Sequence, residues 1–150
     1  MAAVTVTLAQ DTPVTVYVFS VPSPETPGGF IDKRSESLSE RREESAQDLK
    51  KALSDKKRVK IVDDPKEARI RVEVAWRSSP PSTFNILKPG GDLEIAVRAR
   101  LVVGEYSLHI VGKPSPIRPG WRGAAENVAR QVDEWIKMNQ DRLQSPAPGK

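Results

Sequence analysis

Apolar and polar residues alternate from Ile70 to Arg77 except at Ala75, a small apolar residue at a polar position. Ile70, Val72, Val74 and Trp76 fall on one side, and Arg71, Glu73 and Arg77, led by Arg69, fall on the other. A period of two marks a strand with one face hidden and one wet, so residues 68–77 are predicted to form such a strand. Residues 92–103 repeat the pattern, with Leu93, Ile95, Val97, Ala99, Leu101 and Val103 at alternate positions. In residues 104–112, Tyr106, Leu108 and Ile110 share one face and Ser107 and His109 the other, and Gly104-Glu105 is a tight turn joining this strand to its predecessor. Residues 12–20, TPVTVYVFS, are rich in β-branched and aromatic residues and predict an interior strand. A short strand is expected at 58–64, with a turn at Asp64-Pro65-Lys66-Glu67.

Two segments follow the helical period instead. In residues 37–57, Leu38, Ala46, Leu49, Ala52 and Leu53 form a thin stripe that Arg42 and Ser45 interrupt. Ser37 and Glu40 fit a capping box, with Glu43 and Glu44 near the start and Lys50, Lys51, Lys56 and Lys57 near the end, as the helix dipole favours. In residues 121–139, Trp121, Ala124, Ala125, Val128, Ala129, Val132, Trp135 and Ile136 make a broad stripe. At about 1.5–3 kcal/mol for each large apolar side chain buried, this is the better anchored of the two.

One-sided strands and one-sided helices complete each other. The expected fold is α+β: a mostly antiparallel sheet of four or five strands with two helices packed on one face, in the order β-α-β-β-β-α, the other face open. Because a helix separates the first two strands, one parallel pair is expected. Residues 12–139 are read as a single domain and 140–150 as a disordered tail. The opening MAAVTVTLAQ is either the remnant of a signal peptide, with small residues at the cleavage position, or an edge strand over residues 4–8.

Charge selects among the registers open to 68–77 and 92–103. One sets Arg77 opposite Glu94 and Glu73 opposite Arg98, and is preferred, although Arg71 and Arg100 then face each other. Another sets Arg71 against Arg98 and Arg69 against Arg100, like-charge pairs that cost about 0.2–1 kcal/mol each.

Composition narrows the function classes. With 24 Lys and Arg against 20 Asp and Glu, the surplus of +4 favours anionic partners only mildly. The chain has no cysteine and one histidine, His109, which excludes disulfides, thiolate chemistry and the common zinc patterns. No stretch approaches the ~18 apolar residues of a membrane-spanning helix, so a soluble chain without a transmembrane segment is expected. Ser107 and His109 share a strand face without a third group, and neither KPGGD nor PGGF fits a phosphate loop. Asp63-Asp64 and Asp133-Glu134 are neighbours whose side chains point apart. No catalytic residue, metal ligand or cofactor site is expected.

Two candidate binding surfaces remain. Arg69, Arg71, Arg77, Arg98 and Arg100 would line the open face, where arginine forks suit phosphate or carboxylate. On the arginines alone a solvated face that blocks unwanted strand pairing is the stronger reading, because single-stranded nucleic acid also needs aromatic platforms. Tyr17 and Phe19 supply them if Val14, Val16 and Val18 point to the core. The second surface is the long connection 78–91, SSPPSTFNILKPGG, whose Phe84, Ile86 and Leu87 either insert into a partner or fold back over the sheet edge.

The order helix, short strand, turn, strand in LKKALSDKKRVKIVDDPKEARIRVEV resembles small exported bacterial domains, the amino-terminal domain of TolB-like proteins and the lipoprotein activators of penicillin-binding proteins; GWRGAAENVARQVDEWI is similar to their closing helix. The resemblance implies a periplasmic or secreted, non-enzymatic protein that binds other envelope proteins, and it transfers no functional residue. The absence of cysteine leaves a lipoprotein anchor unsupported. The leading expectation is therefore an exported, non-catalytic accessory module that contacts a protein partner through the 78–91 loop or the open sheet face. Binding of nucleic acid or another polyanion by the arginine-bearing face is the alternative. An enzyme using carboxylates gathered from distant parts of the chain is the third.

Overall fold

The structure, a computed structural model, describes residues 12–21, 33–77 and 95–144. The strands are β1 (Val14–Ser20), β2 (Val59–Ile61), β3 (Ile70–Arg77), β4 (Val97–Val103) and β5 (Tyr106–Gly112); the helices are α1 (Lys33–Ser54), α2 (Gly120–Met138) and α3 (Gln140–Gln144). The class and the element order are those expected, and the sheet order is β2-β1-β3-β4-β5. The sheet is mixed: β1 runs parallel to both β2 and β3, one parallel pair more than expected, while β3-β4 and β4-β5 are antiparallel.

The second parallel pair follows from how short β2 is. Ile61 and Ile70 both sit opposite Val16, on its two sides, so residues 62–69 need only step across β1. They do so with Val62 N–H donating to Val16 O and Arg69 N–H to Thr15 O. The predicted turn lies here, where Asp64 Oδ1 accepts the Lys66 N–H and its carbonyl the Glu67 N–H.

α1 and α2 lie side by side on one face, α1 over β1 and β3 and α2 over β4 and β5. Val16, Ile70, Val72, Val74, Val97, Ala99, Leu101 and Ile110 meet Ala46, Leu49 and Leu53 of α1 and Ala124, Ala125, Val128, Ala129, Val132 and Ile136 of α2 in one core. α1 begins four residues before Ser37, which lies inside the helix rather than at its start. α2 comes close enough to β5 that a Cβ on Gly112 would stand 2.1 Å from Ala124 O. At the far end of β5, the Tyr106 and Trp135 rings stack at 5.9 Å. Gly104 turns β4 into β5 with φ of 57°, a conformation open to glycine at the first position of a tight hairpin. α3 occupies the first residues of the stretch read as a disordered tail, because Leu143 is buried against the core.

The register of β3 and β4 corrects the expectation. Glu73 stands opposite Arg100 rather than Arg98, and Arg71 opposite Val102, so the like-charge pairs of the rejected register and the Arg71–Arg100 pair of the preferred one are both avoided. The alternation then breaks. Val74 pairs with Ala99 but Trp76 with Arg98, leaving Ala75 as the extra residue of a β-bulge. Beyond it the two faces exchange. Trp76, expected in the core, lies on the open face with 41% of its surface exposed, and Arg77, expected outside, turns toward the helices.

Candidate binding face of the sheet

With Val16 fully buried and Val14 and Val18 packed on the core, Tyr17 and Phe19 take the opposite face of β1. Register then fixes their neighbours. Tyr17 lies beside Arg71, Phe19 beside Glu73, Glu73 beside Arg100 and Arg100 beside His109. One step along, Trp76 lies beside Arg98 and Arg98 beside Val111. Lys60, opposite Thr15, adds a cation on β2. The open face therefore presents three aromatic rings and four cationic side chains around one carboxylate among the described strands.

The contacts on this face are specific. Tyr17 and Phe19 stack with ring centroids 5.5 Å apart and 22° between planes. The Arg98 guanidinium lies 4.8 Å from the Trp76 ring centroid, within cation–π range. Arg100 donates from Nε at 3.1 Å and from Nη2 at 2.6 Å to the same Glu73 oxygen. That pair engages the carboxylate, whose side chain is 14% exposed. Arg71 and Arg98 form no ion pair among the described residues and are exposed.

Of the residues singled out from sequence, Arg71, Arg98 and Arg100 are thus brought together. Arg69 is not: it precedes β3, and its guanidinium reaches Arg142 O at 3.5 Å. Arg77 is on the helix side, where Nη1 donates to Arg41 O and Glu44 Oε2, both at 2.9 Å, and the guanidinium lies 4.3 Å from the Trp121 ring. Phe84, Ile86 and Leu87 lie outside the described residues, as do residues 1–11. Sequence reasoning missed Lys60, on a strand too short to show a face, and Trp76, whose change of face is signalled only by Ala75 standing where the alternation calls for a polar residue.

Elsewhere the structure gathers carboxylates without forming a site. Glu40, Glu43, Glu44 and Asp48 line a shallow depression with Ser20, Ser39 and Gln47. The Ser20 hydroxyl and then the Gln47 amide hydrogen-bond Glu43 and hold its carboxyl below the usual carboxylate range, so it is poorly suited to act as a general acid. No group of three or more His, Cys, Asp or Glu with metal-binding placement occurs among the described residues. Ser107 and His109 sit exposed on β5, opposite Val102 and Arg100, and no carboxylate of the described strands is the register partner of either. No helix among the described residues is long and apolar enough to cross a membrane. The chain matches no protein-family model, no curated protein and no solved structure.

Proposed function

We propose that this chain is a non-catalytic binding module that takes an anionic partner on the open face of its sheet. The observation that carries the reading is the placement of Arg71, Arg98, Arg100 and Lys60 on one exposed surface where the sole carboxylate of the described strands, Glu73, is already held by Arg100. Cations left over after internal pairing are available to phosphate, sulfate or carboxylate groups. Charged groups spread on a flat face also give fast, salt-sensitive association. Export and envelope partners, which the resemblance implies, are compatible with this reading, since an acidic protein surface is one anionic partner. The 78–91 loop carries no part of the proposal.

Retention on immobilised heparin tests it. The Arg71→Ala/Arg98→Ala chain should elute at clearly lower salt than the unaltered protein. The Lys51→Ala/Lys57→Ala chain, which loses the same charge from exposed positions at and beyond the end of α1, should elute close to the unaltered protein. Equal shifts for the two variants would mean that net charge, not this face, does the binding.

A further inference from the structure

Arginines alone fit any polyanion, but the open face is not arginine alone. Resting on the proposed anion-binding role of this face, we infer that its ligand is a single strand of nucleic acid, with bases stacked on Tyr17, Phe19 and Trp76 and phosphates held by Arg71 and Arg98.

The aromatic residues are placed for this by the backbone. Tyr17 and Phe19 are two residues apart on β1, about 7 Å along the strand, and their rings already lie nearly parallel. Trp76 continues the line on the neighbouring strand, one step beyond the Phe19–Glu73 pair. Two of the three have a cation at hand, Arg71 as the register partner of Tyr17 and Arg98 as that of Trp76, while Phe19 stands beside Glu73. Stacking platforms interleaved with cations are what single strands require, because an unpaired base offers a free π-face and the backbone a charge. A duplex hides its base faces, and its major groove admits a helix or a two-stranded ribbon, not a five-stranded sheet.

The bulge at Ala75 is the second, independent observation. Unbroken alternation would bury Trp76 under the helices and leave Arg77 outside. Instead the indole is exposed, while Arg77 is turned into the interior, its side chain only 10% exposed and in need of Glu44, Arg41 O and Trp121 to hold it. For folding alone this exchange is unfavourable, since a large apolar group gains water and a charge loses it. Bulges commonly re-aim a side chain toward a site. Here the side chain gained by the open face is an indole, a broad π-surface on which a base can stack.

The test titrates the full chain, at low ionic strength, with a twelve-nucleotide oligothymidylate, with a duplex of the same length and with heparin, following tryptophan fluorescence and the anisotropy of a labelled oligonucleotide. The expected result is tighter binding of the single strand than of the duplex, with quenching of the tryptophan signal. Trp76→Leu should abolish most of that quenching and weaken single-strand binding about 5- to 160-fold, the range for loss of one stacked base. The unaltered protein's preference between single strand and duplex and its quenching require no variant, so a poorly folded Trp76→Leu chain leaves the outcome decidable. Equal affinity for all three polyanions with no quenching overturns the inference and leaves the anion-binding reading standing. Binding of none of them overturns both.

Discussion

At the scale of the residue, the clearest departure from what the sequence suggests is Ser45. In the sequence it interrupts the apolar stripe of α1; in the structure it is fully buried, and its hydroxyl has no hydrogen-bond partner among the described residues. A small residue there lets α1 settle on the sheet, and the oxygen is an incidental cost of about 1–3 kcal/mol. Ser45→Ala removes that cost and raises helix propensity, so it should increase stability to urea by about 1–3 kcal/mol; a loss would show that Oγ is bonded to the backbone of its own helix. Arg77 shows the opposite limit of legibility. Its position at the end of an alternating run reads as exposed, yet its guanidinium fills the gap between α1 and Trp121. Tyr17 and Phe19 were readable only conditionally, through the three valines between which they alternate.

At the scale of the element, the strands and α2 were legible to within a few residues at most of their ends, because burial on one side imposes the periods of two and 3.6 directly. The packing of α2 on β5 was not. Gly112 reads as a strand end, whereas in the structure it is the point where the Ala124 carbonyl and Val128 approach the sheet backbone. Gly112→Ala must push α2 away and should cost about 1–3 kcal/mol or more. Gly104→Ala places its Cβ in open space and carries only the positive-φ penalty of about 1–2 kcal/mol. Thermal unfolding of the two variants should therefore separate them clearly, and equal losses would contradict the close approach. Register was legible only in principle: opposite-charge pairing was the right criterion, but Glu73 had two arginines within reach, and Ala75 adds a residue that no charge rule anticipates.

At the scale of the whole molecule, the sheet separates two surfaces of different character. One carries the helices, with the carboxylates of α1 gathered near Ser20; the other, which none of the described elements covers, carries aromatic rings and arginines. The one-sided sheet was legible, since amphipathic strands and helices leave no other way to hide their apolar sides. The order β2-β1-β3 was not, because it depends on the short β2 and on a step across β1 that only backbone hydrogen bonds define. The open face is the proposed working surface. Backbone and tryptophan-indole NMR shifts of the labelled protein, followed while an oligothymidylate is added, test it most directly. The perturbed residues should be those of the face, Tyr17 and Phe19, Arg71 and Glu73, Trp76, Arg98 and Arg100, with the helices α1 and α2 unmoved. Shifts confined to the helices, or none at all at low ionic strength, would contradict it.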